Sequence, residues 1–329
     1  MKQKIVIFGA GTLGKSAYQY YKESHEICFF ADNNEDLVGT EIDGVKIILG
    51  SNIAEIYPSI NKVIVASYFK EEIINQLYSA GIDAIEIYSV DIESDVTKNM
   101  FKTINLGEFL FGNTSKLKNL TFMYGTSTVL DYAFLINIAN RISAKSYLEI
   151  GTFVGESIYN IADYVEHCFS VSLPDDEPIM TTMFRNIGKN NFSRFLANKK
   201  SNITFFKEDS KVFDFKKIDV NIDLVFIDGD HSMNGVKLDT ENIFNIINVE
   251  STIVVWHDFK NKDGRYNLDV VNAIKLVLKE ELLANVFSVD FNMCGIYIPN
   301  KYLKDFSFEL NPDELYTYDI VLKSSRNTR

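Results

Sequence analysis

Apolar residues recur along the first ninety-odd positions in runs about one strand long. "KIVIFG" is a short β-rich run that ends in glycine, "TLGKSAYQYYKES" has apolar positions at helical spacing, and "EICFFAD" is a second β-rich run. "KVIVASY" and "AIEIYS" follow, with "EEIINQLYSAG" patterned as a helix between them. Strands alternating with helices predict a parallel sheet covered on both faces. From about Asp91 to Gly125 the alternation gives way to Asn, Thr, Ser and Lys, and this stretch reads as a linker with some helix.

A second alternating series then begins. "TVLDYAFLINIANRI" is an amphipathic helix, "SYLEIG" a strand, "ESIYNIADYV" a helix and "HCFSVSL" a strand. "NITFFKED", "IDLVFIDGD" and "STIVVWHDF" are three more strands. "VVNAIKLVLKEELL" is a helix, and "ANVFSVD" and "CGIYIPN" are candidate antiparallel strands. The expected fold class is therefore α/β, with two Rossmann-like doubly wound domains. The expected boundaries are 1–95 for the first domain, 96–125 for the linker and 126–329 for the second. The halves are alike in kind, but no residue-level repeat relates them.

A length of 329 residues suits two domains. With 46% hydrophobic and 24% charged residues, the balance is that of an ordinary globular chain. The net charge of −12 repels phosphate backbones, so no nucleic-acid partner is expected. No apolar run approaches the roughly 18 residues of a membrane span, so none is expected. The apolar run in "MKQKIVIFGAGTLG" is broken early by glycines, so it reads as a strand and turn and not as a signal peptide. Cys28, Cys168 and Cys294 are far apart, lack metal-type spacing and fit a reducing cytoplasm.

Two glycine loops each sit between a strand and a helix. The first is Gly9-Ala10-Gly11-Thr12-Leu13-Gly14, with Asp32 at the end of the next strand. Gly9, Gly11 and Gly14 would allow a tight turn and a close approach of backbone amides to a diphosphate, and Asp32 stands where an acid would meet a ribose. The alternative is a turn that only packs. The segment from "VIFGAGTLGKSAYQYYK" to "GTEIDGVKII" resembles the small Rossmann-like domain at the N-terminus of sugar O-acyltransferases. That resemblance implies a nucleotide sugar as ligand.

The second loop is Glu149-Ile150-Gly151-Thr152-Phe153-Val154-Gly155-Glu156-Ser157. It lacks the Gly-Lys-Ser/Thr ending of a phosphate-binding loop. An acid at a strand end before such a loop suits a ligand with an ammonium group and little phosphate, such as S-adenosylmethionine. Further motifs follow in order: Glu208-Asp209-Ser210 ends one strand, Asp228-Gly229-Asp230-His231 the next, and His257-Asp258 the one after. The segment from about Tyr124 to Asn300 resembles class I methyltransferases related to catechol O-methyltransferase and to antibiotic sugar O-methyltransferases.

The resemblance implies the class I methyltransferase fold and an S-adenosylmethionine site. Its residues would be Glu149, Gly151, Thr152, Gly155, Ser157, Ser172, Asp209, Ser210 and Asp228. It also implies a divalent-cation site at Asp228, His257 and Asp258. Two positions depart from the family. Ser172 stands where an acid usually binds both ribose hydroxyls, so either Ser172 binds one hydroxyl or Asp175 or Asp176 swings in. His257 stands where relatives carry Asp or Glu, which shifts the choice from Mg²⁺ toward Mn²⁺, another transition metal or no metal.

Asp230, His231 and His257 are the expected catalytic residues, taking a proton from an acceptor hydroxyl. His25 and His167 read as surface or packing residues. The expected acceptor is a small polar molecule, a sugar or a nucleotide-linked glycan, and a homo-oligomer is left open. Two rivals remain: an NAD-dependent oxidoreductase or epimerase of nucleotide sugars, and a non-catalytic nucleotide-binding sensor. The first lacks a Tyr-x-x-x-Lys pair at a useful distance.

Overall fold

A computed structural model describes residues 2–67, 69–88, 100–262 and 264–326. The chain divides into two compact units, Met1–Lys98 and Asn99–Arg329. Residues 89–99, which include the end of the expected first domain and the start of the expected linker, lie outside the described residues.

In the first unit the apolar runs become β1 (Gln3–Phe8), β2 (His25–Asp32), β3 (Glu41–Ile42), β4 (Val45–Leu49), β5 (Lys62–Val65) and β6 (Ile85–Ile87). Their order is β3-β4-β2-β1-β5-β6, and all neighbours are parallel except the β3–β4 pair. Side chains alternate between faces. Ile5, Ile7, Phe30 and Ile64 join one core, beneath Ala17 and Tyr21 of the helix Thr12–Tyr21. Val6, Phe8, Val63 and Val65 join the other, beneath Ile73 and Leu77 of the helix Lys70–Ser79. One core on each face is what a doubly wound sheet requires.

The first helix packs closely against the end of β1. Gly9 has φ +116°, and a Cβ there would lie 2.2 Å from the Ala66 carbonyl oxygen. A Cβ on Gly14 would lie 1.8 Å from the Gly9 carbonyl oxygen. At Gly11, by contrast, an added Cβ would meet nothing within 4 Å.

The second unit contains β7 (Thr103–Ile104), β8 (Ser146–Ile150), β9 (His167–Ser172), β10 (Ile203–Lys207), β11 (Leu224–Ile227), β12 (Ile253–Trp256), β13 (Val286–Val289) and β14 (Gly295–Tyr297). They form one sheet in the order β10-β9-β8-β11-β12-β14-β13-β7. β8 to β12 are mutually parallel, and β14 runs antiparallel to both β12 and β13. Tyr147, Phe226 and Val255 feed one core, while Leu148, Val225 and Trp256 feed the other. The chain moves from β8 outward to β9 and β10, then returns to the opposite side of β8 as β11. In such sheets that reversal opens a crevice at the carboxyl ends of the strands.

The expected linker needs correction from residue 100 onward. Thr103 and Ile104 extend the sheet by pairing in parallel with Ser288 and Val289. Side chains of the second unit then satisfy the irregular backbone that follows. Asn160 Oδ1 accepts from the Lys118 amide at 2.7 Å, and Glu156 Oε1 accepts from the Thr121 amide at 2.6 Å. Asn and Thr here mark backbone tied down by side-chain hydrogen bonds, which composition cannot distinguish from a free linker. Among the described residues, no helix is long and apolar enough to cross a membrane.

The glycines of the first unit should separate in a denaturation experiment. Gly14→Ala, driven into the Gly9 carbonyl, should cost about 1–3 kcal/mol in urea unfolding, or more. Gly11→Ala should cost less than about 1 kcal/mol. Equal losses would contradict this packing.

Candidate functional site

Main-chain hydrogen bonds join the carboxyl ends of four neighbouring strands. The Gly151 amide donates to Val171 O at 3.0 Å, Asp228 N to Ile150 O at 2.8 Å, and His257 N to Ile227 O at 3.0 Å. Gly151 has φ +82°, and a Cβ there would lie 2.1 Å from the Asp228 carbonyl oxygen. A Cβ on Gly155, at φ +85°, would lie 2.6 Å from Ala197 Cβ. Both glycines are therefore required by protein packing, before any ligand is considered.

Glu149 projects from β8 into the core and is fully buried. Its Oε2 accepts from Tyr147 Oη at 2.7 Å, while Oε1 has no partner. Burial raises its pKa to about 8, against the lowering influence of the Ser157 and Tyr147 hydroxyls. Ser157 is close enough to favour the ionised form but closes no ordinary hydrogen bond with Oε1. An ammonium group is the kind of partner that this oxygen lacks. Thr152 is occupied by Ser170, their hydroxyl oxygens 2.6 Å apart. At the end of β10, Asp209 Oδ1 accepts from the Lys211 amide at 3.0 Å, and Ser210 O from Asn242 Nδ2 at 3.1 Å. Asp209 thus shapes the turn that displays Ser210.

At the ends of β11 and β12 three of the expected residues meet. Ligand atoms of Asp228, His257 and Asp258 all lie within 4.8 Å of one another. His257 Nδ1 is 3.1 Å from Asp228 Oδ1 and 3.6 Å from Asp258 Oδ1. His231 joins from the side, its Nε2 3.2 Å from Asp258 Oδ2 and 3.8 Å from Asp228 Oδ1. Asp258 adopts φ +50°, a conformation uncommon for a non-glycine residue and often found at functional sites.

Sequence reasoning missed Asp131. It stands in the first turn of the helix Val129–Ile142 and forms a capping box with Thr128. The capping box was the only signal in the sequence, and it points to helix initiation. In the structure Asp131 is fully buried, with Oδ2 3.4 Å from His257 Nε2 and Oδ1 accepting from the Met293 amide at 3.1 Å. Burial raises the Asp131 pKa, but His257 and Thr128 outweigh it and the net direction is downward. An ionised Asp131 favours a proton on Nε2. That leaves Nδ1, which is buried and has no hydrogen bond of ordinary geometry, facing Asp228 and Asp258. Metal-binding histidines are commonly held in this way, so these residues fit a divalent cation. Without a cation the imidazole would take a proton instead. Burial lowers the His257 pKa, but the Asp228, Asp131 and Asp258 carboxylates push it well above its usual value.

Two expected residues are held by other partners. Asp230 is turned away from the cluster: Lys211 Nζ lies 2.7 Å from Oδ2, and Oδ1 accepts from the Ser232 amide at 3.0 Å. The strand-end motif places Asp230 among the expected catalytic residues, but its carboxylate faces Lys211 and the Ser232 amide and not His257. In the first unit, Asp32 gives one oxygen to the Ala10 amide at 2.8 Å and the other to Asn34 at 2.9 Å. It closes the Gly9–Gly14 loop and is not a free strand-end acid. Ser172 receives a hydrogen bond from Arg194.

Residues 148–259 match a family model described as a methyltransferase domain. Residues 1–88 match one described as C2185-like, N-terminal. No curated protein matches the chain. Among solved structures, a Rex-family repressor is 23% identical over 27% of this chain and 46% of its own, with a TM-score of 0.25. The chain thus spans just under half the length of that repressor. An SAH-bound methyltransferase from Podospora anserina is 13% identical over 54% of this chain and 81% of its own, with a TM-score of 0.38. An O-methyltransferase from Bacillus cereus in complex with SAH is 18% identical over 53% and 81%, with a TM-score of 0.35. The segment matched by the methyltransferase-domain model runs from β8 and the Gly151 loop to the strand-end cluster.

The buried carboxyl of Glu149 makes stability depend on pH. Folded, it keeps its proton up to about pH 8; unfolded, it loses it near 4.5. Its contribution is therefore intact below about pH 4.5 and is lost as the pH rises toward 8, by an amount on the order of a few kcal/mol. Glu149→Gln should remove this loss, so its melting temperature should rise relative to wild type between pH 5 and 8. A difference that is flat across that range would contradict the burial argument.

Proposed function

We propose that the second unit takes a methyl group from S-adenosylmethionine and delivers it to a hydroxyl oxygen of a small polar acceptor, a sugar or a nucleotide-linked glycan. The observation that carries this reading is the contact of the Gly151 loop with Asp228, which sets a donor loop directly beside a cluster of acids and histidines. The acceptor class rests on the resemblance to sugar-modifying enzymes.

The residues divide the work. Glu149 Oε1 receives the donor's ammonium, and Ser157 faces its amino-acid end. His231, the more exposed histidine, receives the acceptor's hydroxyl proton, its Nε2 lying 3.2 Å from Asp258 Oδ2 and 3.8 Å from Asp228 Oδ1. The acceptor oxygen forms its bond to the methyl carbon as the carbon–sulfur bond breaks, leaving a neutral thioether and one released proton. Asp228, His257 and Asp258 would hold a divalent cation, which when bound would lower the pKa of the acceptor hydroxyl. One nitrogen and two carboxylates suit Mn²⁺ better than Mg²⁺. In the first unit, unobstructed Gly11 at the start of the helix Thr12–Tyr21 supports binding of a nucleotide sugar through its diphosphate.

Three measurements test these assignments. Near pH 7, calorimetry in buffers of different ionisation enthalpy should show S-adenosylhomocysteine releasing about one proton as Glu149 ionises. Glu149→Gln should release none, and equal release by both would remove Glu149 from the donor site. Methyl transfer to a panel of sugars should fall by orders of magnitude in Asp228→Ala, and a chelator should inhibit it until Mn²⁺ is restored. Chelator resistance with an inactive His231→Ala would leave a histidine base without metal, and no transfer to any hydroxyl would overturn the reading. In the full chain, Gly11→Ala should abolish binding of UDP-, GDP- or dTDP-sugars; unchanged binding would leave Gly9–Gly14 a packing turn.

A further inference from the structure

Two phenylalanines hold left-handed backbone and gain no burial from it. Phe122 has φ +54° and Phe291 has φ +50°. They are 64% and 81% exposed, and neither belongs to a core cluster of the described residues. Phe153, at φ +43°, is different, because its ring stacks on Phe184. Positive φ is unfavourable for a bulky side chain and persists only where the surroundings impose it.

The surroundings of both residues do so. Thr121 is fastened to the helix Glu156–Ile161 that follows the Gly151 loop, its amide donating to Glu156 Oε1 at 2.6 Å. Further along, Ser127 Oγ lies 3.4 Å from Asp228 Oδ2. Between them the Thr126 amide donates to Met123 O at 3.1 Å and closes a turn that carries exposed Tyr124. Phe122 thus stands on a bridge from the Gly151 loop to the end of β11. Phe291 stands on the loop between β13 and β14. Gly295 of β14 pairs with Trp256 of β12, so that loop continues past the end of β12. Met293 O accepts from the Lys260 amide at 3.2 Å, and the Met293 amide donates to Asp131 Oδ1 at 3.1 Å. Asn292 adds a second cost in the same loop, its Nδ2 buried without a partner. By strand order the bridge lies on the β8 side of Asp228 and the Phe291 loop on the β14 side of Asp258. The two aromatic loops therefore flank Asp228, His231, His257 and Asp258.

Strained, exposed rings on both sides of such a cluster suit a ligand that is itself a ring, with an apolar face and hydroxyls at its rim. Stacking covers the face. Acids and imidazoles between the loops can bond several hydroxyls at once, which favours a polyhydroxylated ring over a phenol. A pyranose has both features, since its ring C–H bonds form the apolar face. We infer that Phe122 and Phe291 take the apolar face of the acceptor's sugar ring and so set which hydroxyl meets His231. The inference rests on the methyl-transfer reading above.

The test uses the full chain, with methyl glycosides of hexoses and 6-deoxyhexoses as acceptors and catechol as the phenol. Phe122→Gly and Phe291→Gly remove a ring and relieve its backbone together. Both variants should melt at or above the wild-type temperature and bind S-adenosylhomocysteine as wild type does. Each should raise KM for the glycosides roughly 5–50-fold, by more than it lowers kcat. Phe291→Tyr, which keeps the ring, should keep KM within about 3-fold of wild type. Unchanged KM in both glycine variants would overturn the inference, as would a fall in melting temperature that accounts for the loss. Transfer to catechol and to none of the glycosides would overturn the sugar assignment while leaving methyl transfer in place. If wild type methylates neither class, the methyl-transfer reading fails and this inference with it.

Discussion

The organisation of the second unit depends on one close approach, that of Gly151 to the main chain of Asp228. Any side chain at position 151 would enter the space of the Asp228 carbonyl. The ends of β8 and β11 can therefore touch only if the loop residue is glycine in a left-handed conformation. That contact brings the Gly151 loop, proposed above to receive a methyl donor, against the strand end that carries the cluster of acids and histidines. A substitution at Gly151 consequently changes packing and ligand approach together and cannot separate them.

Bringing three carboxylates around one imidazole is unfavourable until a positive charge arrives. Two like charges about 4 Å apart repel by about 4 kcal/mol at an effective dielectric of 20. The fold offsets part of this locally: Thr128 and Met293 amides bond Asp131, and Ser127 approaches Asp228. The remainder is met by a proton on His257 or by a cation among Asp228, His257 and Asp258. Asp131 serves either state, because its carboxylate faces Nε2 and not the open side of the cluster. The same economy is visible at the end of β9, where Asp175 is balanced by Arg194 and Lys207.

Much of this was legible in the sequence, because the central strands of both sheets are parallel, are covered on both faces and read as continuous apolar runs. The two glycine loops and the meeting of Asp228, His257 and Asp258 could be read from motifs at strand ends. The rest depended on side-chain direction or on contacts distant in sequence. Asp131 looks like a helix cap because it is one, and only the folded chain brings it to His257. Arg194 lies in a polar stretch with no periodicity to mark it as buried. Asp230 is two residues from Asp228 yet points to Lys211, since adjacent positions past a strand end need not share a direction. β7 is two residues long, too short for any pattern to announce.

In the proposed function the Gly151 loop and the strand-end cluster form one site. Of the four histidines, His231 and His257 stand in the cluster, while His167 begins β9 at the amino end of the strand and His25 begins β2 of the first unit. The most direct measurement is the imidazole NMR spectrum during titration with S-adenosylhomocysteine. Saturable shifts of His231 and His257 are expected, with His25 and His167 unmoved. Saturable binding that leaves the His231 and His257 resonances in place would contradict a single site.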